Sequence, residues 1–350
     1  MVTIYDVAKE AGVSPSTVSN AINNNGKVSK KTTERIFQVI ERLNYVPNTM
    51  AKGLRASNSR NIHVLCEDII AFQSVEIIDG ISTVCDRTNY KITLENIHIS
   101  KKVKDYRYDE YISTPEFIAS LRDDVNQMIA SNACGIIYIG IYPHLIDNLF
   151  EDLPIPITYS YVYSHQGKYC INADDYQGAK LAMEYLIEQG HKKIGMICGT
   201  FDTLPTHKRM QAFQTALMTH QLPYVPEYVV DGNWDYQKSY DAAKKILTLP
   251  DPPTAIFAMS DIMAYGVLNA AADLGIRVPE DVSVHGFDDF FFSGMARPSL
   301  TSVAMPLYEI GKKAAEVEID LIEKRTPDPD SMVIKCTHVP RNTVAKCNTF

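Results

Sequence analysis

The first stretch of this chain carries apolar stripes at helical spacing. Beyond residue 61 short apolar runs alternate with helical stripes. Ile4, Val7, Ala8 and Ala11 recur at the intervals of one helix face, and small Ala8 lets a second helix cross closely. Gly12 supplies a tight turn. Ser14-Pro15 reads as an N-cap followed by proline at the first helical position. The second helix, Pro15 to Asn23, is expected to bury Val18 and Ile22. Ser29 is expected to cap a third, Lys30 to Asn44, whose Ile36, Val39, Ile40 and Leu43 close a small core. This is a helix–turn–helix. The open face of its second helix carries Ser16, Thr17 and Asn20, short polar groups suited to base edges and phosphates in a major groove.

The remainder predicts strands at Ile62–Cys66, Ile92–Asn96, Gly135–Gly140, Ile155–Tyr159, Ile194–Cys198, Tyr228–Val230, Ala255–Met259, Val282–His285 and Val333–Cys336. Between them fall helical patterns over Ser74–Thr88, Pro115–Ser131, His144–Glu151, Tyr176–Gln189, Thr206–Gln221, Tyr236–Leu247, Ile262–Leu274 and Leu307–Glu323. Alternation of this kind implies α/β architecture with parallel sheets covered by helices. The strands are too many for one tidy sheet, so two lobes are expected. The connection Ile99–Pro115 is longer than usual for such a unit, and its Tyr106, Tyr108 and Tyr111 suit a lid, a dimer contact or a solvated loop.

Charge divides the chain at the same place. Residues 1–60 hold nine Lys/Arg and four Asp/Glu, a balance of +5, whereas the whole chain is −8. A basic head on an acidic body fits a nucleic-acid module joined to a part with another task. With 350 residues and 45% hydrophobic content, a sizeable core is expected. No run reaches the length of a membrane span, and the head stands where a secretory signal would. Seven scattered cysteines, odd in number and without CxxC spacing, read as reduced thiols and not as a disulfide frame or zinc site. There is no GxGxxG after a strand, no Walker loop, no GxSxG and no HExxH, so enzymatic chemistry has no motif to stand on. No metal or cofactor is expected.

The head resembles the LacI/GalR family of bacterial transcription regulators, in the register of its purine-responsive branch. The stretches that carry the likeness are Thr3-Ile4, Asp6-Val7-Ala8, Ala11-Gly12-Val13-Ser14, Thr17-Val18-Ser19, Ile22-Asn23, Val28-Ser29, Thr33 and Leu43-Asn44-Tyr45-Val46-Pro47-Asn48. The resemblance implies a helix–turn–helix DNA-binding domain over 1–47 and a hinge over 48–61. It assigns DNA contact to Thr3, Tyr5, Pro15, Ser16, Thr17, Ser19, Asn20, Asn23, Lys27, Ser29 and Tyr45 in the head. In the hinge it assigns Asn48, Ala51, Leu54 and Arg55. Asn48–Arg55 is too short for a stable helix in water and Gly53 weakens it further. By resemblance it folds only on operator DNA, pairs with its twin and wedges Leu54 into the minor groove, where partial intercalation kinks the duplex. The plainer role for Leu54 is an apolar tether.

The likeness continues through Asp174-Asp175-Tyr176-Gln177-Gly178-Ala179, Gly190-His191-Lys192-Lys193-Ile194 and Ser260-Asp261-Ile262-Met263-Ala264-Tyr265-Gly266. It extends to Gly275-Ile276-Arg277-Val278-Pro279-Glu280-Asp281-Val282, Gly286-Phe287-Asp288-Asp289 and Arg297-Pro298-Ser299-Leu300-Thr301. It implies a body, 62–350, with the two-lobed fold of the periplasmic sugar-binding proteins. Lobe one would be 62–173 with 305–330, and lobe two 174–304 with 331–350. Ligands in such folds sit at the carboxyl ends of strands, in the cleft. The resemblance nominates Arg209, Trp234, Ser260 and Asp288, with Asp174 at the crossover. Asp68, Phe72, Ser74 and Tyr161 are nominated because they follow strands of the first lobe. An aromatic platform with charged groups that grip hydroxyls suits a small sugar. Thr203 and Pro205 stand where purine-sensing members carry other groups, so a purine is disfavoured. The resemblance therefore implies a cytoplasmic, nucleoid-bound homodimeric repressor, with double-stranded operator DNA and a small sugar effector as partners. No leucine heptads follow the last strand, so a tetramer is not expected. The competing readings are a nucleoside or nucleobase sensor and a sugar-binding protein that does not touch DNA.

Overall fold

The computed structural model describes residues 2–22, 28–45, 59–103, 111–146, 150, 153–165, 169–329 and 332–347. It divides into residues 1–59 and 60–350. In the first unit, α1 (Ile4–Ala11) opens on a capping box: the Asp6 amide donates to Thr3 Oγ1 at 3.4 Å and the Thr3 amide to the Asp6 carboxylate at 2.8 Å. It ends at Gly12, whose φ of 61° gives the left-handed cap that glycine adopts without strain. In α2 (Pro15–Ile22) the Thr17 amide donates to Ser14 Oγ at 3.2 Å; in α3 (Lys30–Arg42) the Thr32 amide donates to Ser29 Oγ at 3.3 Å. Val7, Ala8, Ala11, Val18, Ala21, Ile36 and Val39 form the core. Two details depart from the sequence reading. Ala21 joins Val18 in the core while Ile22 packs at its margin. The third helix ends before Asn44, which turns left-handed at φ 47°.

In the second unit the elements follow as β1 (Asn61–Cys66), α4 (Phe72–Thr88), β2 (Lys91–Asn96), α5 (Ile99–Lys102), α6 (Pro115–Ala130), β3 (Gly135–Ile139), β4 (Ile157–Ser160) and β5 (Cys170–Ala173). Then come α7 (Asp175–Glu188), β6 (Ile194–Cys198), α8 (Leu204–Thr219), β7 (Val229–Asp231), α9 (Tyr236–Leu247), β8 (Ala255–Ala258), α10 (Asp261–Asp273) and β9 (Ser283–His285). The series closes with β10 (Ser302–Ala304), α11 (Leu307–Ile322), β11 (Val333–Ile334) and β12 (Thr337–Val339). One sheet has the order β11-β5-β4-β3-β1-β2 and the other β7-β6-β8-β9. All pairs in both are parallel. Central strands such as Ile194–Cys198 are buried along their whole length, which is why they read as unbroken apolar runs.

Helix α11 returns to the first sheet after the second is complete. Its Glu318 accepts the Ile136 amide at 3.0 Å and the Thr158 hydroxyl at 2.7 Å, in full burial. It crosses α4 at backbone contact: a Cβ on Gly311 would lie 2.0 Å from the Ile77 carbonyl oxygen. The chain passes between sheets after β5, between β10 and α11, and between β11 and β12. β10 and β12 pair antiparallel, Ser302 opposite Val339. The third crossing was expected near residue 331 and comes after Ile334, because Val333 and Ile334 extend the first sheet opposite Asn172 and Ala173.

The sequence reading missed β5, β10 and β12, which are three or four residues long. The helix expected over His144–Glu151 is not formed in its described part. There Leu145 bridges Tyr163, and His144 is held by Glu67 at 3.2 Å and by the Tyr142 carbonyl at 2.8 Å. In the long connection, Ile99 and Ile112 are buried in the lobe core and Tyr111 packs on Phe117 at 5.3 Å between centroids. Tyr111 thus packs half-buried against the start of α6; Tyr106 and Tyr108 lie outside the described residues.

Candidate effector site and DNA-binding head

The carboxyl ends of the strands in both sheets face one cavity of about 520 Å³, within the range of small-molecule sites. Phe72 and Gln73 reach it from the start of α4, Ile141 to Pro143 from the end of β3, and Tyr161 from the end of β4. From the second sheet come Thr200, Asp202, Thr203, Pro205 and Arg209 after β6, then Asn233 and Trp234 after β7. Ser260 and Ile262 follow β8, and Asp288 and Phe290 follow β9.

Arg209 organises the floor. It is 2% exposed, and its Nε and Nη2 donate to Asp175 Oδ1 at 2.9 and 2.7 Å. Nη1 donates to the Met259 carbonyl and lies 3.9 Å from Asp288 Oδ1. The guanidinium stacks 3.6 Å from the Phe287 ring centroid and 5.5 Å from that of Trp234. Burial pulls its pKa down, and the Asp175 and Asp288 carboxylates more than reverse this. Burial drives the Asp288 carboxyl well above the usual carboxylate range, against the pull of Arg209. Asp288 sits at φ 115°, and Trp234, Asn233 and Tyr161 are also left-handed at φ 57°, 54° and 61°. Non-glycine residues bear strain there, and such residues gather at binding sites.

The loop that carries Asp288 and Phe290 is tied down by Asp261. Ser293 and Ser302 hydroxyls donate to its carboxylate at 2.5 and 2.6 Å, and the Phe290 amide at 3.0 Å. Burial raises this carboxyl to about 6 despite those bonds. Trp234 lies flat against the end of β6 because residue 199 is glycine: a Cβ there would stand 2.0 Å from Cε2 of the indole.

Of the nominated residues, the structure brings Phe72, Tyr161, Arg209, Trp234, Ser260 and Asp288 together around the cavity. Ser260 also caps α10, accepting the Met263 amide at 3.2 Å. Three nominations do not reach it. Asp68 is buried below the first strand's end, accepting the Ile70 and Ser100 amides at 3.3 and 3.2 Å. Ser74 donates to the Asp68 carbonyl at 2.8 Å, and Asp174 accepts the Gln177 amide at 2.9 Å as the cap of α7. Each is spent on local geometry. Sequence reasoning overlooked Tyr142, Pro143, Asn233 and Phe290, and the Asp175 that holds Arg209. Proximity to a strand's carboxyl end was the signal available for the first three.

In the head, Thr3, Tyr5, Ser16 and Ser29 are exposed, while Pro15, Thr17, Ser19, Asn20 and Tyr45 are half-buried. Thr3 and Ser29 use their hydroxyls as helix caps. Asn23, Lys27, Asn48, Ala51, Leu54 and Arg55 lie outside the described residues.

A helix–turn–helix followed by a two-lobed body with one interlobe cavity defines a ligand-responsive DNA-binding protein. Residues 3–48 match the model for bacterial regulatory proteins of the lacI family, and residues 183–344 that for a periplasmic binding protein-like domain. The chain is 32% identical over 342 residues to catabolite control protein A of Priestia megaterium, covering 96% of this chain and 97% of that protein. It is 30% identical over 357 residues to the transcriptional repressor PurR of Vibrio vulnificus, 99% and 100% covered. Among solved structures, the lac repressor dimer bound to operator and an anti-inducer superposes with a TM-score of 0.82 at 24% identity, over 98% of this chain and 99% of that one. A regulator CelR solved with cellobiose gives 0.66 at 24% identity, over 98% and 100%. The chain belongs to the LacI family. It is a DNA-binding transcriptional regulator of the repressor kind with an effector-binding body, and its relatives are not enzymes.

Proposed function

We propose that this regulator is a homodimeric repressor whose effector is a small sugar held between the two lobes. The observation that carries the reading is the cavity itself. Trp234, the Asp288 carboxyl and the Thr200 and Asn233 side chains offer an aromatic platform beside hydroxyl-binding groups. A structure of the same fold was solved with cellobiose, which fits a cavity of this kind. Operator contact is assigned to the open face of α2, with Ser16, Thr17 and Asn20 foremost, and to the segment around Leu54. Twofold symmetry of the dimer would match a near-palindromic operator. The working place of such a protein is the bacterial cytoplasm, on the nucleoid; among the described residues no helix is long and apolar enough to cross a membrane. Effector binding would change lobe closure and thereby order or release the hinge segments.

A thermal-shift screen with sugars, nucleosides and nucleobases tests this. A ligand at a hundred times its dissociation constant adds about 2.7 kcal/mol of apparent stability. The expected outcome is a shift from a sugar, lost in Asp288→Ala, and a change in operator retention by the same sugar. A shift confined to nucleobases would sink the sugar assignment. Failure to retain any palindromic operator would sink the repressor assignment.

A further inference from the structure

Arg60 closes the basic segment and is exposed, so charge alone would count it among the groups that meet DNA. Its contacts are all with the body. It is the first residue of the second unit. Its Nη1 donates to the Thr88 carbonyl at 3.0 Å, and its guanidinium lies 5.0 Å from the centroid of the Tyr90 ring. Its own carbonyl receives the Lys91 amide at 2.7 Å, beside the first rung of the β1–β2 ladder, where Asn61 stands opposite Lys91. Thr88 is the last residue of α4. Carbonyls at a helix end lack intrahelical donors and form the negative pole of the dipole, so a cation is favoured there. The ring under the guanidinium is fixed in its turn. Tyr90 is buried, its amide donates to the Cys85 carbonyl at 2.9 Å, and its hydroxyl donates to Glu323, the cap of α11, at 3.3 Å. A guanidinium laid on such a ring gains by cation–π attraction as well as by its hydrogen bond. The same α4 lines the effector cavity at its other end, through Phe72 and Gln73.

We infer that Arg60 is a positioning residue for operator binding: it fixes the point at which the chain leaves lobe one for the head, and it gives its charge to the end of α4 and not to a DNA phosphate. The inference rests on the chain being a DNA-binding regulator and is independent of which effector it takes.

The salt dependence of binding separates an anchor from a phosphate contact. The full wild-type chain first selects palindromic duplexes from a randomised pool. Full-length variants are then titrated against one selected and one scrambled duplex between about 50 and 200 mM salt. Arg60→Gln should weaken binding to the selected duplex about tenfold, with the salt slope and the scrambled duplex unmoved. Arg60→Lys should not restore it, because lysine keeps the charge but loses the planar fork that reaches Thr88 from the face of the ring. Tyr90→Leu, a change inside the body, should weaken selected binding to the same degree, and the double variant should be no worse than either single one. Arg60→Gln, at an exposed side chain, keeps the test decisive if Tyr90→Leu fails to fold. A slope that falls by about one in Arg60→Gln would mark a phosphate contact and overturn the inference. Wild-type affinity in Arg60→Gln, full rescue by lysine, or wild-type affinity in a folded Tyr90→Leu would each overturn it as well. A wild-type chain that selects no duplex sinks the repressor assignment and the inference with it.

Discussion

Arg209 shows how a binding residue can also be a structural one. Its bond to Asp175 is dry, with both side chains nearly inaccessible. Removing one partner of such a pair leaves a buried charge alone, so Arg209→Ala should cost about 3–5 kcal/mol of stability, read by denaturant unfolding. An Arg209→Ala protein that loses its ligand response therefore says little about contact with the ligand, and Asp288→Ala is the cleaner probe. Gly199 makes a sharper residue-scale case. Gly199→Ala must push the indole of Trp234, the only tryptophan in the chain, off the wall of the cavity. Loss of a well-placed stacking surface should weaken effector binding about tenfold. The same variant should move the tryptophan fluorescence before ligand is added; unchanged emission and affinity would show that the ring does not rest there.

Among the elements, α11 carries the most consequential buried carboxyl. Burial raises the Glu318 carboxyl to about 8, while an unfolded glutamate titrates near its ordinary value of 4.5. Between these two values the folded chain binds a proton that the unfolded chain does not, so stability falls as pH rises through the window. Glu318→Gln keeps an acceptor for the Ile136 amide and a partner for Thr158. It should raise the melting temperature by several degrees at pH 8, and the gap should close toward pH 5. A gap independent of pH would mean that Glu318 is charged throughout. His285 runs the other way. Its pKa is lowered to about 3 by burial, its Nδ1 donates to the Gly286 carbonyl, and its Nε2 faces His338 at 3.1 Å. The unfolded chain takes up that proton first, so this group erodes stability as pH falls from 6.5 toward 3.

The elements also show what a sequence can disclose. Buried parallel strands and amphipathic helices announce themselves through continuous or periodic apolar positions, and the longer ones were found within a residue or two, whereas the one-turn α5 was read as connection. β5, β10 and β12 were not; their pairing is set by the lobes they join and leaves no apolar run of its own. Leu145 was assigned to a helix because its apolar neighbours fit one, and pairing with Tyr163 overrode that preference. Asp288, Arg209 and Trp234 were legible through resemblance, since their roles depend on fold position. Asp68 and Ser74 were nominated on chain position alone, and their local hydrogen bonds could not be foreseen from it.

Across the whole molecule, charge is segregated: +5 on residues 1–60 and −13 on the rest. Operator binding should therefore fall steeply with salt, by on the order of a thousandfold between 50 and 200 mM if six or more phosphates are neutralised. A flat salt response in a retardation titration would place the contacts elsewhere. The crossings between lobes have their own bearing on control. Asp288 is fastened to one of them: its amide donates to the Val303 carbonyl at 2.9 Å, and its carbonyl receives the Met305 amide at 3.3 Å. Tyr161 and Arg209 also touch the Met305 sulfur. A ligand that engages Asp288 thus grips the fulcrum of the lever and not its far end. Affinity and efficacy become separable quantities: of two effectors that differ by one group and fill the cavity equally well, one would work as an agonist and the other as a silent competitor.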